Sequence, residues 1–258
     1  MFEKNSLSEI KEYIKNLPIE SYPEFISFLQ KDSRKTVQKY GNSLHNKFLS
    51  YQRELARTEK IKQFERQAYK KGYRLVAGID EVGRGPIAGP VVSAAVILPK
   101  DFDVLYIDDS KKLSPQRREE LYEKIYKKAL DVGVGIVDSA SIDDINIYQT
   151  TKISMAIAVK NLKYKPDLLF IDGIRCENIP IRQVPIIKGD SKSISIAAAS
   201  IIAKVTRDRI MEDIHKEFPQ YAFNKNKGYG TQEHREAIKK YGILNIHRKT
   251  FLRKIIGS

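Results

Sequence analysis

The chain has a single cysteine, Cys176, in 258 residues. It can form no intrachain disulfide and no cysteine-built zinc site. No stretch reaches the roughly 18 consecutive apolar residues that span a bilayer. The opening MFEKNSLSEIKEYI lacks the apolar core of a secretory leader. A cytoplasmic protein with no membrane association is therefore expected. Histidines number 4 and are not clustered, and no Walker lysine motif occurs. Positive charge is what the chain has in excess: 46 Lys and Arg against 32 Asp and Glu, a net charge of +14 and a pI near 9.6. Residues 1–70 hold 14 of those cations and 9 of the acids, and the remainder holds 32 and 23, so the excess is not one basic tail. Such a balance favours a polyanionic partner, nucleic acid first. A plain solvated basic surface is the competing reading.

The length suits one core with a small appendage. Residues 1–71 show helical patterning only. Ser6 and Glu9 form a capping box, Leu7, Ile10, Ile14 and Leu17 make an apolar stripe, and Pro18 closes the segment. YPEFISFLQ is a second short segment, and the charged amphipathic run from Asp32 to Gly72 is one or two further helices. This extension is a docking or nucleic-acid-gripping module, or a simple structural cap. From residue 72 to 258 the texture is that of an α/β domain. LVAGID, PVVSAAVILP, DVGVGIVD, DLLFID and RQVPIIKGD are strands, the last weakened by Pro185. A helix opens at Ser114-Pro115. Another sets Ile145, Tyr148, Met155, Val159 and Leu162 on one face, and a long one ends before Pro219. Further helical stretches follow GYGT. A central mixed β-sheet flanked by helices is the expected architecture.

Three strand ends carry acids: Asp80-Glu81, Asp172 and Asp190. Singly, each has a structural reading, as an exposed strand end, a turn pair with Gly173 and a helix N-cap respectively. Together they place carboxylates at the carboxyl ends of strands, where open α/β sheets hold their sites. If the strands from Leu75 and Leu168 are parallel neighbours, Asp80 and Asp172 fall within reach of one ion. Strand alternation predicts that Asp80 is the last regular residue and that Glu81 bends round in the turn. Such a cluster repels itself unless a hard cation neutralises it. Oxygen-only ligation points to Mg²⁺ or Mn²⁺, and two such ions about 4 Å apart serve phosphodiester cleavage.

GRGPIA after a strand fits a dinucleotide-binding string, but Pro86 and the β-branched run after Gly89 give a strand where that motif needs a helix. Glycines that let backbone approach a sugar, with Arg84 on a phosphate, are the better reading. A plain tight turn is the rival.

GIDEVGRGPIAGPVV, DSKKLS, IDG, KGDSKSISIAAASIIAKVTRD and NKGYGT occur in this order over roughly residues 72–250. Together they resemble bacterial ribonuclease HII, the type 2 ribonuclease H. The resemblance implies an RNase H-like fold with a helical C-terminal segment. It implies an endonuclease that cuts the RNA strand of RNA–DNA hybrids and cuts 5′ of single ribonucleotides in duplex DNA, leaving 3′-hydroxyl and 5′-phosphate ends. Asp80, Glu81, Asp172 and Asp190 fill the family's catalytic metal-binding positions. Gly83, Arg84 and Gly85 fill the loop that senses the ribose 2′-hydroxyl. Tyr229 fills the tyrosine that stacks on the following sugar. Ser110, Lys111 and Lys204 match motif positions near the substrate, whereas Arg207 and Asp208 read equally well as an exposed helical pair. A monomer acting in DNA replication and repair is expected.

Three alternatives compete. Ribonuclease HIII shares the fold but carries a sheet-containing N-terminal domain and a glutamate as fourth acid; the helical extension and Asp190 favour HII. Another metal nuclease of this fold would lack the Gly-Arg-Gly loop coupled to GYGT. A catalytically inactive hybrid-binding protein would have lost one of the acids, and all four are present.

Overall fold

The capping box forms as its residues predict. Glu9 N–H donates to Ser6 Oγ (3.3 Å), and Ser6 N–H donates to the Glu9 carboxylate (2.7 Å). The computed structural model describes Phe2 and residues 4–253 and divides into two compact units, 1–60 and 61–258. The first holds α1 (Leu7–Lys15), α2 (Tyr22–Gln30) and most of α3 (Lys35–Ile61). Ile10 and Ile14 of α1, Phe25, Ile26 and Leu29 of α2, and Val37 and Leu44 of α3 make its core. Gly41 allows the close approach: a Cβ there would lie 2.8 Å from the Leu29 Cβ.

The second unit opens with α4 (Gln63–Lys70), upstream of the change in texture at residue 72. Phe64 and Ala68 pack with Val76, Leu168, Phe170 and Ile196, which ties α4 to the sheet. The sheet contains β1 (Val76–Val82), β2 (Val91–Ile97), β3 (Asp131–Val137), β4 (Leu168–Asp172) and β5 (Arg182–Ile186), in the order β3-β2-β1-β4-β5. β1, β2 and β3 form an antiparallel meander, while β1, β4 and β5 are parallel, so the sheet is mixed.

Between strands run α5 (Pro115–Lys128), α6 (Ser139–Ile145) and α7 (Ile147–Lys160). After β5 come α8 (Ile194–Glu217), α9 (Phe223–Asn226), α10 (Gln232–Tyr241) and α11 (Lys249–Leu252). Val92, Ala94 and Val96 pack with Ala198, Ile201 and Ile202 of α8 on one face. On the other, Ala77, Ile79, Ala95 and Ile97 pack with Met155 and Ala158 of α7. Both faces of β2 are covered, which is why it reads as a continuous apolar run.

Two details depart from the sequence reading. The helix predicted from Ile145 starts at Ile147, because Asn146 takes φ 78° and its side chain accepts from the N–H groups of Tyr148 and Gln149. Ile145 instead ends α6, a helix that short polar residues had concealed. Pro185 is accommodated because β5 is an edge strand.

β3 is written DVGVGIV because α7 lies directly on it. A Cβ at Gly133 would strike the carbonyl of Ala158, and one at Gly135 the carbonyl of Ser154. Gly135→Ala is therefore expected to lower stability by about 1–3 kcal/mol through overpacking. Thermal unfolding should show a fall of about 2–4 °C per kcal/mol; an unchanged midpoint would mean that α7 is not seated on β3.

Candidate active site

Parallel pairing of β1 with β4 sets Ile79 opposite Ile171, so Asp80 and Asp172 are level at the carboxyl edge of the sheet. Asp190, expected at the end of a strand, instead arrives from the 3-10 turn Gly189–Ser191 that precedes α8, because β5 stops at Ile186 and Lys188 turns left-handed. One carboxylate oxygen from each of Asp80, Asp172 and Asp190 lies within 4.8 Å of the others. Asp80 and Asp190 are 6 % and 9 % exposed. Gly189 N–H donates to Asp172 Oδ1 (2.8 Å), which ties the turn to β4. The cap of α8 is Ser193, not Asp190, whose carboxylate faces the cluster instead.

Glu81 corrects a prediction. β1 continues through Val82, because β2 supplies ladder partners after β4 has ended: Glu81 pairs with Ser93 and Val82 with Val92. Glu81 is thus a regular strand residue on the face of Ala77 and Ile79, opposite to Asp80. It stands outside the trio. Arg84 Nη1 donates to its Oε1 (3.1 Å), and its Oε2 is buried with no hydrogen-bond partner.

Burial, then the neighbouring Glu81 charge and that of Asp172, push Asp80 well above the ordinary carboxylate range. Burial raises Asp190 as well, with Asp109 and Asp172 adding to it and Lys111 opposing. Glu81 is raised by burial and partly relieved by Arg84. Burial works against the Lys111 ammonium, yet Asp109, Asp80, Asp190 and Asp172 outweigh it and raise its pKa. Lys111 therefore sits in the field of the whole cluster. Ser110 Oγ is 3.0 Å from Ser200 Oγ, and Ser200 in turn favours the charged Asp80. Crowded oxygen donors, and an orphaned carboxylate oxygen beside them, fit a hard divalent cation such as Mg²⁺ or Mn²⁺.

The Gly-Arg-Gly loop lies next to this cluster. Gly83 takes φ +95°, and a Cβ there would come 2.5 Å from Arg207 Nε. Gly85 faces the ring of Tyr229: its Cβ would lie 3.6 Å from Cε1. Tyr229, 48 % exposed, also lines a groove of about 480 Å³ with Arg118, Lys204, Asp208, Lys225 and Lys227. Lys204 is paired there with Asp208 (2.7 Å). Arg207 is fully buried rather than part of an exposed pair, because its guanidinium donates to the carbonyls of Ala88, Pro90 and Lys227.

Sequence reasoning missed several residues here. Asp109, inside DSKKLS, caps the turn that presents Ser110 and Lys111. Glu65 of α4 accepts from the hydroxyls of Ser193 (2.5 Å) and Ser195 (2.6 Å) and from Ser195 N–H (3.1 Å), bracing the start of α8 just after Asp190. Asp109 was readable as a turn former. Glu65 lies more than a hundred residues from its partners and had no local signal.

The raised carboxylates have a consequence for stability. A folded-state pKa above the unfolded value gives stability that is present below the unfolded pKa and lost as pH rises through the folded one. The metal-free protein is therefore strained at neutral pH. Asp80→Asn should raise its melting midpoint in EDTA, with the gain vanishing near the ordinary carboxylate pKa, and should blunt the stabilisation by Mn²⁺. Calorimetry in EDTA and in Mn²⁺ reads both; a lower midpoint in EDTA at neutral pH would contradict the repulsion.

A family model described as Ribonuclease HII matches residues 77–254, and one described as Ribonuclease HII N-terminal domain matches residues 6–69. Ribonuclease HII of Clostridioides difficile (strain 630) is 50% identical over 254 residues, 98% of this chain and 100% of that one. That of Acetivibrio thermocellus is 49% identical over 251 residues, 97% of this chain and 98% of its own. Among solved structures, ribonuclease H2 from Pyrococcus horikoshii OT3 superposes with a TM-score of 0.61 at 29% identity, covering 70% of this chain and 97% of that one. The RNase HII from Archaeoglobus fulgidus, solved in complex with PCNA, gives 0.58 at 32% identity over 68% and 94%. The mixed sheet with its flanking helices is the RNase H-like fold. With both family models in chain order and near-complete relatives at half identity, the chain belongs to the ribonuclease HII family and is a ribonuclease H, an endonuclease that hydrolyses phosphodiester bonds.

Proposed function

We propose that this chain cleaves the RNA strand of RNA–DNA hybrids and cuts 5′ of single ribonucleotides in duplex DNA, leaving 3′-hydroxyl and 5′-phosphate ends. In this reading Asp80, Glu81, Asp172 and Asp190 hold two Mg²⁺ or Mn²⁺ ions. The observation that carries it is the convergence of three carboxylates within 4.8 Å beside a loop whose Gly85 faces Tyr229. When bound, such ions supply charge neutralisation and Lewis acidity at the scissile phosphate.

The chain's own residues do the rest. Gly83 lets the loop turn tightly against Arg207, and Gly85 leaves room beside Tyr229 for a sugar to reach the loop backbone, where a 2′-hydroxyl can be sensed. Arg84, whose side chain is 42% exposed, is paired with Glu81 in this structure, and a substrate phosphate competes for the same guanidinium. The exposed Tyr229 ring offers a stacking face to the next sugar. Ser110 and Lys111 stand at the acid cluster, and Lys204 lines the neighbouring groove as a phosphate contact. Such a substrate belongs with the chromosome, so a cytoplasmic monomer acting in replication and repair completes the reading.

The N-terminal helical unit takes phosphate contacts along the duplex, in keeping with its 11 Lys and Arg against 8 Asp and Glu in residues 1–60. The residues after 60 stay with the sheet, since Glu65 braces α8.

Two measurements test this. The protein should cut a duplex with one ribonucleotide and an RNA–DNA hybrid in Mg²⁺ or Mn²⁺, leave an all-DNA duplex intact, and stop in EDTA. Asp80→Asn should lose more than the about 10–100-fold typical of an outer-shell defect, while gel-shift binding persists. Normal cutting by that variant would refute the site. Separately, removing residues 1–60 should raise KM, increasingly so with salt, and leave kcat nearly unchanged. A KM equal to that of the full chain at every salt concentration would assign the unit another role.

A further inference from the structure

Two arginines of the second unit, Arg207 and Arg248, are both 0 % exposed. Burying a guanidinium is costly unless its donors are matched, and here they are matched by main-chain carbonyls. Arg248 Nη2 donates to the carbonyls of Gly83 (2.6 Å) and Gly89 (2.7 Å), Nε to Gly89 (3.1 Å), and Nη1 to Arg84 (3.1 Å). The fork thus grips two consecutive peptides of the Gly-Arg-Gly loop and the Gly89 peptide, just before β2. Arg207 holds the carbonyls that flank Gly89, those of Ala88 and Pro90.

The residue before Arg248 reaches the other ribose-facing element. Leu244 N–H donates to His247 Nδ1 (2.8 Å), so that nitrogen is an acceptor and Nε2 carries the proton. His247 Nε2 lies 3.1 Å from His234 Nε2, which must then accept. His234 keeps its proton on Nδ1 and donates it to the carbonyl of Tyr229 (2.8 Å). The tautomers are dictated in series, and the chain ends on the peptide that carries the stacking ring. Both histidines are buried, at 0 % and 1 %. Ala88 bridges to His247, and Arg248 N–H donates to the Ile87 carbonyl (2.8 Å), so the two grips share one short span of backbone.

We infer that the dipeptide His247-Arg248, acting with His234, is a specificity-determining positioning element that sets the spacing between the Gly83–Gly85 loop and Tyr229. A ribose followed by a deoxyribose needs both elements at a fixed separation. A run of ribonucleotides needs the loop alone at each step. The dipeptide therefore governs preference for an RNA–DNA junction over a uniform hybrid, rather than phosphodiester hydrolysis itself. The inference rests on the reading that the loop and Tyr229 meet adjacent sugars.

Two variants test it in the full-length protein. Arg248→Lys keeps the charge and loses the fork, and His234→Phe keeps the ring and loses both nitrogens. For each, kcat/KM is measured on a single-ribonucleotide duplex and on a uniform RNA–DNA hybrid, with the Mn²⁺ concentration for half-maximal rate and a melting curve. Either variant should reduce the ratio of the two kcat/KM values about tenfold or more, as a displacement of about 1 Å does, with the Mn²⁺ midpoint unchanged. A folded variant whose ratio equals that of the unaltered protein overturns the inference. So does a pair of variants that both fail to fold, since the dipeptide is then purely structural. If the unaltered protein shows no junction preference, the reading of the loop and Tyr229 fails first and takes the inference with it.

Discussion

The parallel ladder between β1 and β4 is the constraint on which the rest depends. It puts two like charges, Asp80 and Asp172, level at one sheet edge, and the turn before α8 brings a third. Nothing in that arrangement favours folding. Burial and the neighbouring negative charges raise the pKa of Asp80 and Asp190, a cost that the hydrophobic faces of the sheet must offset. A site of this kind concentrates negative charge in advance and leaves it to be neutralised by a cation. Lys111 and Arg84 supply only partial relief, since each lies beside the cluster rather than within it.

Around that edge, backbone is held against backbone with no side chain between. A Cβ at Gly78 would run into the main chain of Ser195 at the start of α8, and one at Gly228 into the carbonyl of Ala88. The first contact sets the depth at which α8 and its preceding turn sit over β1, and so the reach of Asp190. The second seats the Tyr229 segment on the strand-entry loop, reinforced by Ile87 N–H donating to the Gly228 carbonyl (2.9 Å). Glu65 acts at the far side of the same turn, satisfying Ser193 and Ser195 where α8 begins. The acid cluster and the Gly83–Gly85 loop are thereby fixed by separate supports.

Those supports are polar and buried, an unusual choice given the cost of desolvation. Arg207, Arg248, His234 and His247 all point at carbonyls or at each other, and burial lowers the pKa of each, His247 to about 4 and Arg248 to about 9. At neutral pH the histidine pair is uncharged while Arg248 remains a cation. A hydrogen-bonded framework has direction as well as contact, so it can hold a loop in one register where apolar packing would allow it to slide.

Much was legible in the amino-acid order alone. The capping box at Ser6, the strand from Leu168 to Asp172, the long helix after Ser193 and the strand that carries Asp80 all carry local signals, in period, cap or turn chemistry. Local signals failed where a distant partner decides the outcome. Glu81 stays in a strand because β2 is there to pair with it. Arg207 looked like a surface helical residue because the carbonyls that bury it come from residues 88, 90 and 227. The histidines of α10 and of the segment before α11 gave no hint of meeting, being separated by a turn of no obvious pattern. Composition and motif order alone determined that this is a basic protein with Asp80 and Asp172 toward the carboxyl ends of buried strands and a glycine loop close by. Only the tertiary structure decided which acids share a site and what holds the loop still, because both depend on backbone groups brought together from segments far apart in the chain.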